Sequence, residues 1–234
     1  MKDKILVLHS GGLDSTVLLY KALREVQGDP SRVKALNIIY GQKHAKEAEY
    51  AQWHCQHLGI EQIDANLSDV FKFNPNVSSL LAASEVPLEH TEYVEQTSKA
   101  NGRPVVSYIP YRNGLFLSYA AAVAYQLGFN VIYYGAHADD AAGSAYPDCS
   151  QDFIQAQARA IWLGTGNTVR IEAPWAALNK AGVVHAGLEL GMTPYELMRT
   201  WSCYEGGLTP CGECGTCRDR RAAFEANGIY EKYE

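Results

Sequence analysis

The chain alternates short apolar runs with amphipathic segments, and this alternation limits the folds open to it. The run at Lys4–His9 is typical of a strand buried on both faces, and a helical pattern follows at Asp14–Val26. A strand at Val33–Tyr40, a helix at Ala45–Leu58 and a short strand at Ile63–Leu67 continue the pattern. Alternation of this kind predicts a parallel sheet with helices on both faces.

A second half of the same kind follows residue 107. Between the halves, residues 68–107 show no sustained period and predict an irregular segment. The predicted helices of the second half are Asn113–Leu127, Gln151–Leu163, Lys180–Leu190, Pro194–Thr200 and Asp219–Ala226, and the predicted strands are Asn130–Gly135 and Val169–Ala173. The expected fold class is α/β, with a doubly wound, mostly parallel sheet.

Composition narrows the classes of function. The 234 residues, 47% of them hydrophobic, suffice for one large α/β domain or for one domain with a small appendage. A net charge of -6 argues against a general nucleic-acid binder. The sequence has no run of ~18 apolar residues for a membrane span, and its first apolar run is too short for a signal peptide. We expect a cytoplasmic protein with no nucleic-acid and no membrane partner; a homodimer is one assembly that the sequence allows.

A glycine turn, SGGLDST at residues 10–16, joins the first strand to the first helix. Glycine lets the backbone approach a ligand, and a helix N-terminus attracts anions, so this turn favours phosphate. Ser10, Ser15 and Thr16 can donate hydroxyl hydrogen bonds. Asp14 would repel an anion, so we expect it to cap the helix, to bind Mg²⁺, or both. The alternative is a turn without a ligand. A Walker loop and a dinucleotide fingerprint are both absent from the sequence.

Four cysteines lie close together near the end of the chain, in SCYEGGLTPCGECGTC. Closely spaced thiols with intervening glycines are typical of a structural zinc site, in which four thiolates surround one ion. An iron–sulfur cluster and free thiols are the alternatives, although the continuation of a ferredoxin run is missing. We predict one Zn²⁺ bound by Cys203, Cys211, Cys214 and Cys217. The expected division is an α/β domain at residues 1–200 and a small zinc-binding lobe at residues 201–234.

Several motifs together carry a family resemblance over nearly the whole chain. The glycine turn resembles the pyrophosphate loop of the ATP pyrophosphatases, also called the PP-loop superfamily. The chain as a whole resembles the 7-cyano-7-deazaguanine synthases of the queuosine pathway. The segments that carry this resemblance are SGGLDST (10–16), YGQKH (40–44), YIPYRNGLFLSYAA (108–121), GAHADD (135–140), YPDC (146–149), LNKA (178–181) and WSCYEGG…CGECGTCRDR (201–220).

The resemblance implies an ATP-driven conversion of 7-carboxy-7-deazaguanine and ammonia to a nitrile, through an adenylated carboxylate and then an amide. ATP and Mg²⁺ are the implied cofactors beside Zn²⁺, and ammonia is expected to arrive free or from a partner protein. The implied catalytic residues are Ser10, Asp14, Ser15, Arg112 and Lys180. The nucleotide-binding residues implied are His9, Ser10, Gly11, Gly12, Leu13, Asp14, Ser15, Thr16, Val17, Leu18 and Leu19.

Other polar residues fit this reading, each with a plainer alternative. Arg112 begins a helix and could bind a phosphate or the substrate carboxylate, or else form a surface ion pair. Lys180 also begins a helix, where a cation opposes the helix dipole, and this hints at a phosphate partner. His9 ends the first strand, where packing is the commoner role.

A second group of residues follows the strand predicted at Asn130–Gly135, at the edge where doubly wound sheets bind ligands. Given the resemblance, the residues expected to bind the small-molecule substrate are His137, Asp139, Asp140, Tyr146 and Asp148. Tyr146 and Asp148 would read the guanine-like edge of the base. Helix capping is the alternative for the acids.

Three other functions remain open from the sequence. A tRNA-thiolating enzyme of the same superfamily would use the same loop, although the acidic charge speaks against it. An enzyme that attaches a deazaguanine to a macromolecule would use the same activation. A zinc-stabilised nucleotide-binding module would bind ATP without turnover.

Overall fold

Parallel strands form the centre of the molecule. The computed structural model describes residues 2–43, 46–91, 93–99, 101, 103–141 and 145–231. Within them, five parallel strands pair in the order β3-β2-β1-β4-β5. Their bounds are β1 Ile5–Leu8, β2 Val33–Ile39, β3 Glu61–Asn66, β4 Val131–Tyr133 and β5 Arg170–Glu172. This sheet confirms the predicted doubly wound α/β class. From β1 the chain adds strands first on one side (β2, β3) and then on the other (β4, β5). In doubly wound sheets a ligand-binding crevice opens at the point between these two halves, here between β1 and β4.

Helices connect the strands and cover the sheet. They are α1 (Leu13–Glu25), α2 (Lys46–Leu58), α3 (Tyr93–Lys99), α4 (Arg112–Leu127), α5 (Ala138–Ala141), α6 (Gln151–Gly164), α7 (Lys180–Glu189), α8 (Pro194–Met198) and α9 (Gly215–Glu225). No helix in the described part of the chain is long and apolar enough to cross a membrane.

Two hydrophobic clusters hold these layers together, one on each face of the sheet. On one face, α1, α7 and α9 contribute fully buried side chains such as Leu18, Val183 and Phe224. On the other face, α4 and α6 contribute Leu117 and Ile161. Helix α9 therefore packs into the main core, although the segment before it carries three of the four clustered cysteines. The division at residue 200 stays a prediction.

The structure departs from the predicted elements at three places. Residues 68–107 contain α3 and short turns at Ser68–Phe71 and Pro75–Val77, so the prediction of an irregular segment was incomplete. Helix α5 was missed because four residues are too few to show a period. Helix α9 begins at Gly215, four residues before the predicted start, because Cys214 is its N-cap. His44 is the last residue of the motif YGQKH, and Ala45 is the predicted start of the second helix. Both lie outside the described residues.

A buried arginine fastens α9 to the chain that follows α8. Arg220 is 3% exposed, and its guanidinium donates to Thr200 Oγ1 at 2.6 Å and to the carbonyl oxygen of Met198 at 3.1 Å. It also forms a two-pronged ion pair with Glu231, at 2.7 and 2.8 Å. A buried cation with this many acceptors holds its partners in one arrangement, and losing it leaves a carboxylate without its main counter-charge.

We therefore predict that Arg220→Met lowers the free energy of unfolding by about 3 kcal/mol, the effect of breaking a buried ion pair. Denaturant titration of the purified variant measures this. Arg221→Met is the matched control, since Arg221 is exposed on the same helix and should cost less than ~1 kcal/mol. Equal stability of the two variants would contradict the role assigned to Arg220.

Candidate active site

A cavity of about 230 Å³ opens at the carboxyl edge of the sheet, where β1 and β4 diverge. The loops after both strands line it, together with the start of α4, the start of α7 and the segment after α8. The structure thus brings chain segments from positions 8 to 219 to one place. This is the position at which doubly wound sheets bind their ligands.

The glycine turn forms one wall and is pressed against α2. Gly11 has a φ of +92°, and a Cβ there would lie 2.0 Å from the carbonyl oxygen of Glu47, so no other residue fits. Ser10 Oγ accepts from the Gly12 amide at 3.1 Å, and Ser15 Oγ donates to the Gly12 carbonyl at 3.2 Å. Gly12 is the N-cap of α1 and provides no side-chain cap. Leu13, Asp14 and Ser15 of the first turn line the cavity, and amides without a cap at a helix N-terminus favour an anion.

Asp14 lies one residue inside α1, so the prediction that it caps this helix was wrong. Its Oδ2 is 3.3 Å from Lys180 Nζ and 3.7 Å from His137 Nε2. Burial raises the pKa of Asp14, but Lys180 and His137 outweigh it and leave the pKa below its usual range. Its Oδ1 is buried and has no hydrogen-bond partner among the described residues, which suits a cation ligand.

Lys180 is buried and joins this cluster from the first residue of α7. Its Nζ lies 3.2 Å from His137 Nε2, which accepts this bond when the ring proton is on Nδ1. Asp139 lines the cavity, as does His137, and its Oδ2 accepts from the Lys180 amide at 2.9 Å at the start of α7, whose N-cap is Asn179. The side chain of Asp140 lies outside the described part of the chain.

Arg112 lines the same cavity from the first turn of α4. Its guanidinium lies over the Tyr40 ring at 5.4 Å and donates to the Tyr40 hydroxyl at 3.3 Å. None of the ion pairs found among the described residues includes Arg112, so the surface ion pair was the wrong alternative. Tyr111, at a φ of +57°, makes the sharp turn that precedes this arginine. Arg112 can therefore present its charge to an anion in the cavity.

Tyr146 and Asp148 are both buried but differ in what they face. Tyr146 lines the cavity, and its hydroxyl is 2.6 Å from Ser107 Oγ. Asp148 is not among the lining residues; its Oδ2 accepts from the Asn113 amide at 2.9 Å and so caps α4. The role predicted for Asp148 in reading the base is therefore not supported by its position, and burial raises the pKa of its carboxyl.

Part of the predicted nucleotide-binding stretch is deeply buried, and of its buried polar residues His9 lines the cavity while Thr16 does not. His9 is 1% exposed, between Thr16 Oγ1 at 3.2 Å and Cys55 Sγ at 3.7 Å. Burial lowers the pKa of His9 to about 3, so the ring is neutral. The Thr16 hydroxyl faces His9 and not the cavity, which corrects its predicted contact with phosphate. The fully buried side chains of Val17, Leu18 and Leu19 belong to the hydrophobic core and likewise do not line the cavity.

Sequence reasoning missed Glu47, which lines the cavity from the first turn of α2. Its Oε1 lies 3.6 Å from the position that a Cβ on Gly12 would take. Burial raises the pKa of Glu47 to about 8, with Arg112 opposing and Asp14 reinforcing the shift. The available signal was its place after β2, the neighbour of β1, since carboxyl ends of parallel strands share one edge.

The four predicted metal ligands also meet. One sulfur atom from each of Cys203, Cys211, Cys214 and Cys217 lies within 4.8 Å of the others, and Cys211 and Cys217 are 3.9 Å apart. The amides of Cys211 and Cys214 donate to cysteine sulfurs at 3.4 and 3.3 Å, which stabilises thiolates. Four thiolates around one zinc ion at ~2.3 Å lie about 3.8 Å apart, so this set fits a metal ion.

Comparison with known proteins agrees with the fold and the motifs. The chain matches the family model described as "Queuosine biosynthesis protein QueC" over residues 4–228. It is similar to a protein of Caldicellulosiruptor bescii named 7-cyano-7-deazaguanine synthase, with 37% identity over 231 residues, 99% of this chain and 96% of that protein. A protein of the same name from Archaeoglobus fulgidus is 38% identical, over 97% of this chain and 87% of its own length.

Solved structures with low sequence identity resemble the fold. The NMN synthetase from Francisella tularensis aligns with a TM-score of 0.53 and 17% identity, over 99% of this chain and 79% of its own. That likeness concerns the fold alone. With a family model that spans residues 4–228 and curated relatives that align over almost their full length, the chain belongs to the QueC family.

Proposed function

We propose that this chain converts 7-carboxy-7-deazaguanine and ammonia to 7-cyano-7-deazaguanine, with ATP cleaved to AMP and pyrophosphate in each of two activations. The observation that carries the proposal is that a phosphate-type loop, a buried lysine and a guanidinium line one cavity. The names of the curated relatives give the product, 7-cyano-7-deazaguanine.

The loop and Lys180 serve the leaving pyrophosphate in this proposal. The open amides of the first turn of α1 and the Lys180 ammonium favour the charge that grows on the departing group. Asp14 Oδ1 would hold the magnesium ion, which supplies further neutralisation of phosphate charge when bound. Ser10 and Ser15 shape the loop through the hydrogen bonds that hold Gly12.

Arg112 and the aromatic rings that line the cavity bind the deazaguanine base in this proposal. A guanidinium binds a planar carboxylate through two parallel hydrogen bonds, and Arg112 has such a face toward the cavity. The rings of Tyr40, Phe116 and Tyr146 line the same end and suit a flat heterocycle. The phosphates and the base thus take opposite ends of one cavity, with the carboxylate between them and close to the α-phosphorus.

The chemistry then balances in four steps. A carboxylate oxygen attacks the α-phosphorus, and the bond to pyrophosphate breaks. Ammonia attacks the acyl carbon; AMP leaves, and one proton is released to give the amide. The amide oxygen attacks a second ATP, again releasing pyrophosphate and one proton. Loss of AMP and of the last N–H proton gives the nitrile. Holding each nucleophile in line with the α-phosphorus is the main contribution of the cavity.

A time course of products tests this reaction directly. Purified protein with ATP, Mg²⁺, ammonium and 7-carboxy-7-deazaguanine should release two AMP and two pyrophosphate per nitrile, with an amide that rises early and then falls. Chromatography with mass spectrometry measures all four. ADP and phosphate as products would reject the pyrophosphatase assignment. A reaction that ends at the amide would contradict nitrile synthesis but keep the ATP-dependent ligase assignment. ATP binding without turnover would indicate a nucleotide-binding module that is not an enzyme.

The cluster at Asp14 gives a second prediction. Asp14→Ala should lower ATP turnover about 100-fold or more, because it removes the cation ligand and frees Lys180 from its partner, while the fold is kept. Steady-state pyrophosphate release measures this. Asp152→Ala is the matched control, since Asp152 is also the second residue of a helix, α6, and is exposed. Near-normal turnover in Asp14→Ala would remove Asp14 from the catalytic machinery.

We further propose that the four cysteines bind one Zn²⁺. Cys214→Ser should lose the metal and lower the solubility, because structural zinc contributes ~10 kcal/mol or more to the folding of small metal-bound elements. Elemental analysis of the purified protein measures the content. Cys149→Ser should keep one zinc per chain, since Cys149 lies outside the cluster. Stoichiometric iron together with visible absorbance would contradict the zinc proposal and indicate an iron–sulfur cluster.

A further inference from the structure

The indole of Trp201 lies against the cysteine cluster. Trp201 is 3% exposed and packs with Cys203, Cys214 and Cys217 in one buried group. Its Nε1 donates to the carbonyl oxygen of Cys203 at 2.8 Å. Tyr50 stacks on the ring with centroids 6.0 Å apart. The ring is therefore fixed by the backbone of a cysteine ligand and by α2.

The backbone of the same residue holds the glycine turn. The Trp201 amide donates to the carbonyl oxygen of Gly11 at 3.0 Å, and the Trp201 carbonyl lies 3.5 Å from the position of a Cβ on Gly12. On its other side Gly11 is in contact with the backbone of α2. The turn is thus clamped between α2 and Trp201, which also lines the cavity.

We propose that Trp201 is a positioning residue that couples the four-cysteine site to the glycine turn, so that metal at the cysteines strengthens nucleotide binding at the turn. The inference rests on the proposed function, which gives the cysteines a zinc ion and the turn a nucleotide. Thr216 adds a second tie, because its Oγ1 donates to the Ser202 carbonyl at 2.7 Å and lies 3.3 Å from Cys214 Sγ.

The coupling has a simple physical basis. Metal at the cysteines restrains the backbone of Cys203, and with it the Trp201 indole and amide. A restrained amide keeps the Gly11 carbonyl, and so the amides of the turn, in the orientation that receives phosphate. A nucleotide then has less backbone motion to restrict when it binds. Coupling of this kind is reciprocal, so bound nucleotide must also retain the metal.

The wild-type chain tests the coupling through metal release. The zinc-loaded protein is mixed with an excess of a coloured chelator, with and without saturating α,β-methylene-ATP, whose α–β bridge cannot be cleaved. We expect the nucleotide to slow zinc transfer about fivefold, the effect of one ordinary hydrogen bond. Equal rates would overturn the inference and leave the proposed function standing. A chain that binds no zinc or no nucleotide would overturn both.

A matched pair of variants tests the residue. Trp201→Phe keeps an aromatic ring on Tyr50 but removes the N–H bond to Cys203, while Trp162→Phe makes the same change on α6, outside the cavity. With one zinc bound, Trp201→Phe should bind the analogue about fivefold more weakly by calorimetry, and nucleotide should no longer slow zinc release. Trp162→Phe should match the wild type in both.

The two readouts separate coupling from a direct contact. If Trp201 merely touched the nucleotide, Trp201→Phe would weaken binding but nucleotide would still slow zinc release as in the wild type. That result would overturn the positioning role, as would wild-type affinity in Trp201→Phe. If Trp201→Phe fails to hold one zinc, the wild-type release rates decide the inference alone.

Discussion

The ion pair between Asp14 and Lys180 joins two helix N-termini across the point where the sheet reverses its order. Both side chains are largely buried, and His137 contacts each of them. Burying opposite charges adds little stability in itself, because the desolvation of both groups offsets their attraction. The pair makes sense as a prearranged charge cluster beside an anion site. The pair sets the charge that the cavity presents beside the glycine turn and at the start of α7.

Those parts of the site that are formed by residues close together in the chain could be predicted from the sequence. The strand, the glycine turn and α1 form one continuous pattern, and the spacing of the cysteines identified their cluster. The acid that lies beside the turn was harder to predict. Glu47 lies there because α2 follows the strand next to β1, and strand order is not visible in a single sequence.

The acids show a further limit of sequence reasoning. Asp148 was expected to touch substrate, yet its carboxylate accepts from the Asn113 amide in the first turn of α4 and does not line the cavity. Asp139 lines the cavity and also accepts from the Lys180 amide at the start of α7. A cap supplied by a distant residue has no local signature, since capping rules apply to the residue just before a helix. The caps nonetheless serve the site, because each holds the helix whose first residue carries a positive charge to the cavity.

The packing of α9 has a consequence for how the metal site assembles. Cys217 lies on α9, and Cys214 caps it, while Phe224 of the same helix is fully buried in the main core. Arg220 ties the helix to the chain just before Cys203. The packing of α9 into the hydrophobic core therefore fixes Cys214 and Cys217, and Arg220 fixes the chain that leads to Cys203. An ion bound at these cysteines would have only to close the short loop between Cys203 and Cys211, and closing a short loop sacrifices little chain entropy. Metal uptake would then order that loop alone, in a structure that the hydrophobic core has already shaped.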